Sequence, residues 1–291
     1  MNWMIHAVDN SKPSKTERPW ALRDLPPYRP VAKKLMLLAS REDVPLSQVQ
    51  DVLRTDAAFT ADILRLANSP LISSRAQITG VMQAVMVLGL ERINALATTL
   101  ALRSFLSSGV PTNVVQTCWR HNLATAVVCE KLANLLQIDM DTCYTAGLLH
   151  DIGQLALLRA CPDQYERILS APQTSGFDLL QHEKSIFHID HCEAGRWILE
   201  QWEFPKELID VVSMHHKEPR PGASILLRVV YAGWQIADLV GFSVLNRPVE
   251  GSIEAIAAVL PGRVVEQVVE QFDRLSEEVA FKINAIECSL I

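Results

Sequence analysis

The sequence has no excess of basic charge, no paired cysteines and no long apolar run. Lys and Arg number 27 against 33 Asp and Glu, for a net charge of −6. No basic stripe interrupts that balance, which sets aside nucleic-acid binding by bulk electrostatics. The six cysteines, at 118, 129, 143, 161, 192 and 288, are scattered and include no CxxC pair. That usage suits a reducing compartment, with thiols buried as small hydrophobes. No stretch reaches the roughly 18 uninterrupted apolar residues of a membrane span. The N-terminal MNWMIHAVDNSKPSKTERPW lacks the apolar region of a secretory signal, so a cytoplasmic location is expected. There is no GxGxxG, no Walker-type phosphate loop and no Ser-His-Asp arrangement, and residues 31–110 contain no histidine.

Helical period, by contrast, is abundant. The 291 residues, 49% hydrophobic and 21% charged, suffice for one large domain or two small ones. Residues 1–21 are polar and read as a leader or linker, with order beginning near Leu25 in LPPYRP. VAKKLMLLAS gives a short helix, and Leu46, Val49 and Leu53 carry a second. Asp56 can cap a third through Phe59, Ile63 and Leu66, ended by Pro70. Val81 to Leu88 closes at Gly89, and Ile93, Leu96 and Leu100 lead a long helix towards Gly109. Residues 113–136 form one long helix, and Asp141 can cap the helix that carries Ala146 to His150. Helices are also expected over 189–203, 206–216 and, nearly all apolar and therefore central, 225–240. The tail offers 252–260 and 263–284, split at Pro261-Gly262. No alternating strand is evident, so the expected fold is all-α: a multi-helix bundle with an N-terminal helical subdomain.

Polar residues sit where this pattern wants apolar ones. In GLLHDIGQLALL (147–158), His150 and Asp151 interrupt an otherwise apolar segment. His121, His191, the His215-His216 pair and Asp238 each lie in an apolar helical context as well. Buried polar groups cost free energy unless partnered. A single buried histidine is usually satisfied by backbone, but five helices each offering such a residue point to a common purpose. Imidazole and carboxylate are ligands for Zn, Mn and Fe, and two metals can share a bridging carboxylate. Glu183, eight residues before His191, reads as a surface charge. His182 and His188 fall in an expected loop and read as solvated. Trp119, Trp197, Trp202 and Trp234 read as core.

These residues, in this order, resemble the HD superfamily of metal-dependent phosphohydrolases, and their arrangement is similar to that of the HD-GYP phosphodiesterases. LPPYRP, ILRLANSP, VMVLGLERI, GLLHDIGQLALL, EKSIFHIDHCEAG, WEFP and VVSMHH together resemble a particular branch, the HDOD (HD-related output) domain. The resemblance implies an HDOD domain over 22–240, with a helical subdomain at 31–110, an HD-like core at 111–240 and a C-terminal extension at 241–291. It implies that His121, His150, Asp151 and Asp238 form one ligand cluster. His191, His215 and His216 would complete a second metal position, with Asp151 bridging. One or two divalent transition metals (Fe, Mn or Zn) are the implied cofactors. Asp151 would be the catalytic residue if the site were enzymatic.

Two departures from HD-GYP stand out. Gln154 replaces the lysine that usually follows HDIG, and KEPRPG after His216 carries no GYP motif. Both speak against cyclic-di-GMP hydrolysis, though Lys217 and Arg220 lie nearby in sequence. The resemblance implies a bacterial signal-transduction output module, served by a protein partner or an upstream sensor or receiver domain, with nucleotide or phosphate as the ligand class. The alternative reading is a metal-dependent phosphohydrolase or cyclic-dinucleotide phosphodiesterase. Neither a membrane nor nucleic acid is an expected partner.

Overall fold

The computed structural model describes residues 19–23, 25–41, 43–69, 77–106, 112–171, 177–245 and 251–289. Every long element among them is a helix, and no strand occurs among the described residues. The helix-ending roles expected of Pro70 and Gly109 fall outside the described residues.

The N-terminal helices follow local sequence chemistry closely. Helix α1 (Pro30–Ala39) begins on a proline, whose fixed φ suits a first turn. After α2 (Leu46–Arg54), Asp56 caps α3 (Ala57–Ala67) by accepting from the Phe59 amide at 3.0 Å. Its other oxygen accepts from Arg29 at 2.8 Å. Helix α4 (Val81–Leu88) stops at Gly89, whose φ of 82° excludes most side chains. Helix α5 (Leu90–Leu106) then packs on α1 and α3.

Helix α6 (Thr112–Leu136) is the spine of the molecule. Helices α7 (Met140–Leu149), α13 (Ile225–Ala237) and α16 (Phe272–Ser289) all pack on it. Asp141 is not the cap of α7. Asp139 fills that role, accepting from the Asp141 amide, because the helix starts two residues earlier than expected. Asp141 instead joins Arg92 at 2.9 Å, and the same guanidinium meets Glu130 at 2.7 Å. Lys282 of α16 closes on the second Glu130 oxygen at 2.8 Å. This largely buried network ties α5, α6, α7 and α16 together, with its charges compensated.

Helices α8 (Ile152–Ala160) and α9 (Pro162–Ser170) follow α7, then α10 (Leu179–Phe187), α11 (His191–Gln201) and α12 (Lys206–Met214). Helix α10 takes in His182, so that residue is helical rather than in a loop; His188 is its left-handed C-cap, and both side chains are exposed as expected. The expected helix over 225–240 is α13 plus a π-helical turn, Asp238–Phe242, that breaks at Gly241 (φ 94°). The tail divides into α14 (Ile253–Ala257), α15 (Gly262–Glu270) and α16, with the extra break at Gln271. One segment among the described residues, Ile225–Phe242, is long and apolar enough to cross a membrane by length and composition, and 44% of it is buried inside the fold.

Candidate metal centre

GLLHDIGQLALL spans the end of one helix and the first turns of the next. Helix α7 ends at Leu149, α8 starts at Ile152, and His150 and Asp151 form the joint between them. Asp151 occupies the N-cap of α8 yet makes no capping bond, because its carboxylate turns to the imidazoles instead. The joint lies against the first turn of α11. A Cβ on Gly153 would stand 1.9 Å from the His191 carbonyl oxygen and 2.5 Å from the Gly195 amide nitrogen. Only glycine permits that approach, and it brings His191 beside Asp151. Helix α6 presents His121 from another side, and the residues just past α12 present His215 and His216.

Each of four histidines has one ring nitrogen engaged by an oxygen that can only accept, carboxylate oxygens included when ionised. His121 Nδ1 donates to the Phe242 carbonyl at 2.8 Å, His150 Nδ1 to Gly147 at 2.7 Å, and His215 Nδ1 to Val212 at 2.9 Å. His191 Nδ1 donates to Glu183 at 2.8 Å. The proton is thereby placed on Nδ1 and each Nε2 is left as a bare lone pair in the neutral ring. These Nε2 atoms converge on Asp151. Its Oδ1 lies 3.0 Å from His215 and 3.4 Å from His191, and its Oδ2 lies 3.4 Å from His150 and 3.7 Å from His121. His121 and His150 face each other through Nε2 at 3.3 Å. His191 Nε2, His215 Nε2 and Asp151 Oδ1 are buried without a hydrogen-bond partner. Lone pairs gathered this way require a cation or protons between them.

The electrostatics agree. Burial alone would raise the Asp151 carboxyl, but His150, His191 and His215 outweigh it and hold it well below the usual carboxylate range. Burial, helped by His215 and His121, pushes His150 down to about 3 against the pull of Asp151, so its ring is neutral. Burial also works against a charged His215, yet Cys192 and Asp151 together raise it to about 10. A metal at this position would displace that proton.

One ligand atom from each of His121, His150 and Asp151 lies within 4.8 Å of the others, and so do atoms of His191, Cys192, His215 and His216. Six of the seven residues singled out in the sequence therefore supply atoms to these two groups. Asp238 sits behind His121, with Oδ1 3.3 Å from Nδ1, the nitrogen turned away from His150. The π-helical turn at the end of α13 sets it there, along with the Phe242 carbonyl. Helices α1 to α5 supply nothing to either group. A cavity of about 460 Å³ opens onto His121, His150, Asp151, His215 and His216.

Three readings need correction. Glu183 is not a surface charge: it is fully buried, and its carboxylate accepts from the His191 ring, from the His191 amide at 2.8 Å and from the Tyr165 hydroxyl. The signal lay in α10, where Leu180, Glu183 and Phe187 share one face, so the carboxylate stands in an apolar stripe. Cys192 is more than a small hydrophobe, since its sulfur belongs to the second ligand group; only its position beside His191 hinted at this. Trp234 is half-buried and lines the cavity, its ring centroid 5.0 Å from that of His216 and its Nε1 donating to the His215 carbonyl at 3.0 Å. Trp119 and Trp202 are core, as read. Gln154 lines the cavity, 2% exposed, with Oε1 unpartnered.

Residues 25–218 match the HDOD domain profile. The chain belongs to the HDOD family. The matched span contains both halves of the ligand set except Asp238, which follows in the π-helical turn after α13. Two solved structures share the fold of this HDOD chain. An HDOD domain protein of unknown function from Geobacter sulfurreducens is 22% identical with a TM-score of 0.72, over 89% of this chain and 93% of that one. A candidate phosphohydrolase from Shewanella amazonensis is 22% identical with a TM-score of 0.70, over 93% and 96%. A curated, uncharacterized Treponema pallidum protein is 21% identical over 198 residues. That match takes in 67% of the HDOD chain and 38% of the relative, so the chain spans well under half the length of that protein.

Proposed function

We propose that this protein is a signal-transduction output module that holds one or two divalent transition metals (Fe, Mn or Zn) in its buried His/Asp site. In this reading residues 22–240 form the HDOD body, 31–110 its N-terminal subdomain and 241–291 an extension braced on α6. The observation that carries it is the convergence of four buried Nε2 atoms on the Asp151 carboxylate, with His191 Nε2, His215 Nε2 and Asp151 Oδ1 offered no partner from outside the cluster. His121, His150 and Asp151 would hold one ion; His191, His215 and His216, with Asp151 bridging, would hold the other. A bound divalent ion supplies Lewis acidity there. The protein's own residues do the orienting. The carbonyls of Gly147, Val212 and Phe242 and the Glu183 carboxylate fix which ring nitrogen faces inward.

The cavity wall favours signalling over turnover of an anionic substrate. None of the described lining residues is Lys or Arg, while Asp151, Asp178 and Asp238 line it. Lys217 and Arg220 are exposed and do not line it. Orienting a phosphodiester beside a metal needs cations that this wall does not offer. A protein partner or an upstream sensor or receiver domain would then read the state of the site. A second reading, a metal-dependent phosphohydrolase or phosphodiesterase, draws support from the opening of the cavity onto Asp151 and His215. The two separate in one experiment. Manganese- or iron-loaded protein is assayed for linear product from cyclic-di-GMP beside Asp151→Ala. The signalling reading expects retained metal and no turnover above the variant. Fast product formation that Asp151→Ala abolishes would establish the enzyme instead.

A further inference from the structure

The two ligand groups differ in chemistry. The first, His121, His150 and Asp151, offers only nitrogen and oxygen. The second adds sulfur: Cys192 Sγ and a ring nitrogen from each of His191, His215 and His216 lie within 4.8 Å of one another. Cys192 is the second residue of α11, an eleven-residue helix, and is 7% exposed. Its sulfur stands 4.0 Å from His215 Nδ1. That nitrogen already donates to the Val212 carbonyl at 2.9 Å, so it cannot take the proton of a Cys192 thiol. Meanwhile His191 and His215 are fully buried, and the Nε2 of each faces no group but the shared Asp151 carboxylate and the other rings. No other cysteine shares in either group among the described residues.

We propose that Cys192 is a thiolate ligand, making the second position a mixed sulfur–imidazole site, Cys192 with His191, His215 and His216, that selects a zinc-class ion over a hard one. This rests on the metal-binding reading above and deepens it. One thiolate, three imidazoles and the bridging Asp151 carboxylate are all ligand types that zinc takes, and zinc accepts a fifth ligand. Sulfur disfavours Mg²⁺ and Mn²⁺, which prefer carboxylate, carbonyl and water. A metal-bound thiol gives up its proton outright, and the positive end of α11 favours the resulting charge. The neighbouring position has no sulfur and remains suited to a harder ion, so the two positions differ in the metals they select.

Cobalt(II) is the probe, added to metal-free full-length protein and followed by absorption. The parent is expected to show visible ligand-field bands together with a near-ultraviolet sulfur-to-cobalt charge-transfer band. Cys192→Ser should lose the charge-transfer band and bind the ion at that position at least about 10-fold more weakly, the lower end of what loss of an outer metal-site partner costs. Cys288→Ser, at an exposed site, should keep the band. X-ray absorption of the zinc-loaded parent needs no variant and should give a sulfur neighbour at about 2.3 Å beside nitrogen at about 2.0–2.1 Å. Cobalt bound without a charge-transfer band, a band that survives in Cys192→Ser, or a zinc shell of nitrogen and oxygen alone would overturn the thiolate while leaving the metal reading intact. Failure to bind cobalt or zinc at all would overturn both.

Discussion

Substituting alanine for Gly153 tests whether the metal centre depends on the contact between α8 and α11. The added Cβ would meet the His191 carbonyl oxygen at 1.9 Å and the Gly195 amide nitrogen at 2.5 Å, where ordinary contact begins at 3.4 Å. Both obstacles are backbone, so no rotamer change relieves them. The helices must separate by about 1.5 Å at this point, the shortfall between 1.9 and 3.4 Å. Overpacking of a close-packed interior costs about 1–3 kcal/mol, and a backbone clash belongs at the upper end. At about 3 kcal/mol the midpoint of thermal unfolding should fall by roughly 6–12 °C. Because His191 is part of the obstructing backbone, the 3.4 Å separation of its Nε2 from Asp151 should widen and metal retention should fall with it. The control is Gly262→Ala at the first position of α15, where an added Cβ meets nothing within 4 Å. That change should leave the melting point unchanged or raise stability by about 0.4–1 kcal/mol. Thermal unfolding followed by circular dichroism, with metal analysis of the same samples, reads both effects. A Gly153→Ala protein as stable and as metal-rich as the parent would refute the reasoning.

Further outcomes follow from the same contacts. Glu183→Ala strands the His191 ring, its amide and the Tyr165 hydroxyl; it should cost roughly 3–5 kcal/mol in denaturant unfolding and about 10–100-fold in metal affinity. A loss below about 1 kcal/mol would mean that the carboxylate is not the anchor it resembles. Asp56→Ala removes the α3 cap and the Arg29 partner and should cost about 0.5–2 kcal/mol while metal content stays at the parent level. A change in metal content there would contradict the separation of α1–α5 from the site. Metal uptake should release protons and weaken as pH falls, because His215, raised to about 10 in the metal-free protein, must shed its proton to bind. Calorimetry in buffers of different ionisation enthalpy measures that release, and uptake with no proton release is the contrary result.

Helices announced by caps and apolar stripes were legible in the sequence. Asp56, Gly89 and the 25-residue run of α6 mark elements close to those observed, because these signals act within a turn or two. Boundaries set by tertiary demands were not. GLLHDIGQLALL is apolar on both sides of His150-Asp151, so its pattern does not announce α8 as a separate helix; the need to turn His150 and Asp151 inward makes the break. No sequence signal marks α9, and α10 reads as loop, because each is a short segment whose buried face shows only against its neighbours. The histidines could be picked out because each was a polar residue in an apolar context. Glu183 was missed because its value as a partner depends on His191, brought against it by the turn at His188. Cys192 was missed because a buried cysteine looks alike in sequence whether its neighbours are leucines or imidazoles.

Elemental analysis of protein purified without added metal bears most directly on the central claim, that the buried His/Asp cluster holds metal. The account predicts about one to two transition-metal ions per chain, with most of that content lost in an Asp151→Ala protein whose circular dichroism shows it folded. A folded parent that carries no stoichiometric metal and takes up none on titration, or an Asp151→Ala protein with undiminished content, would contradict it.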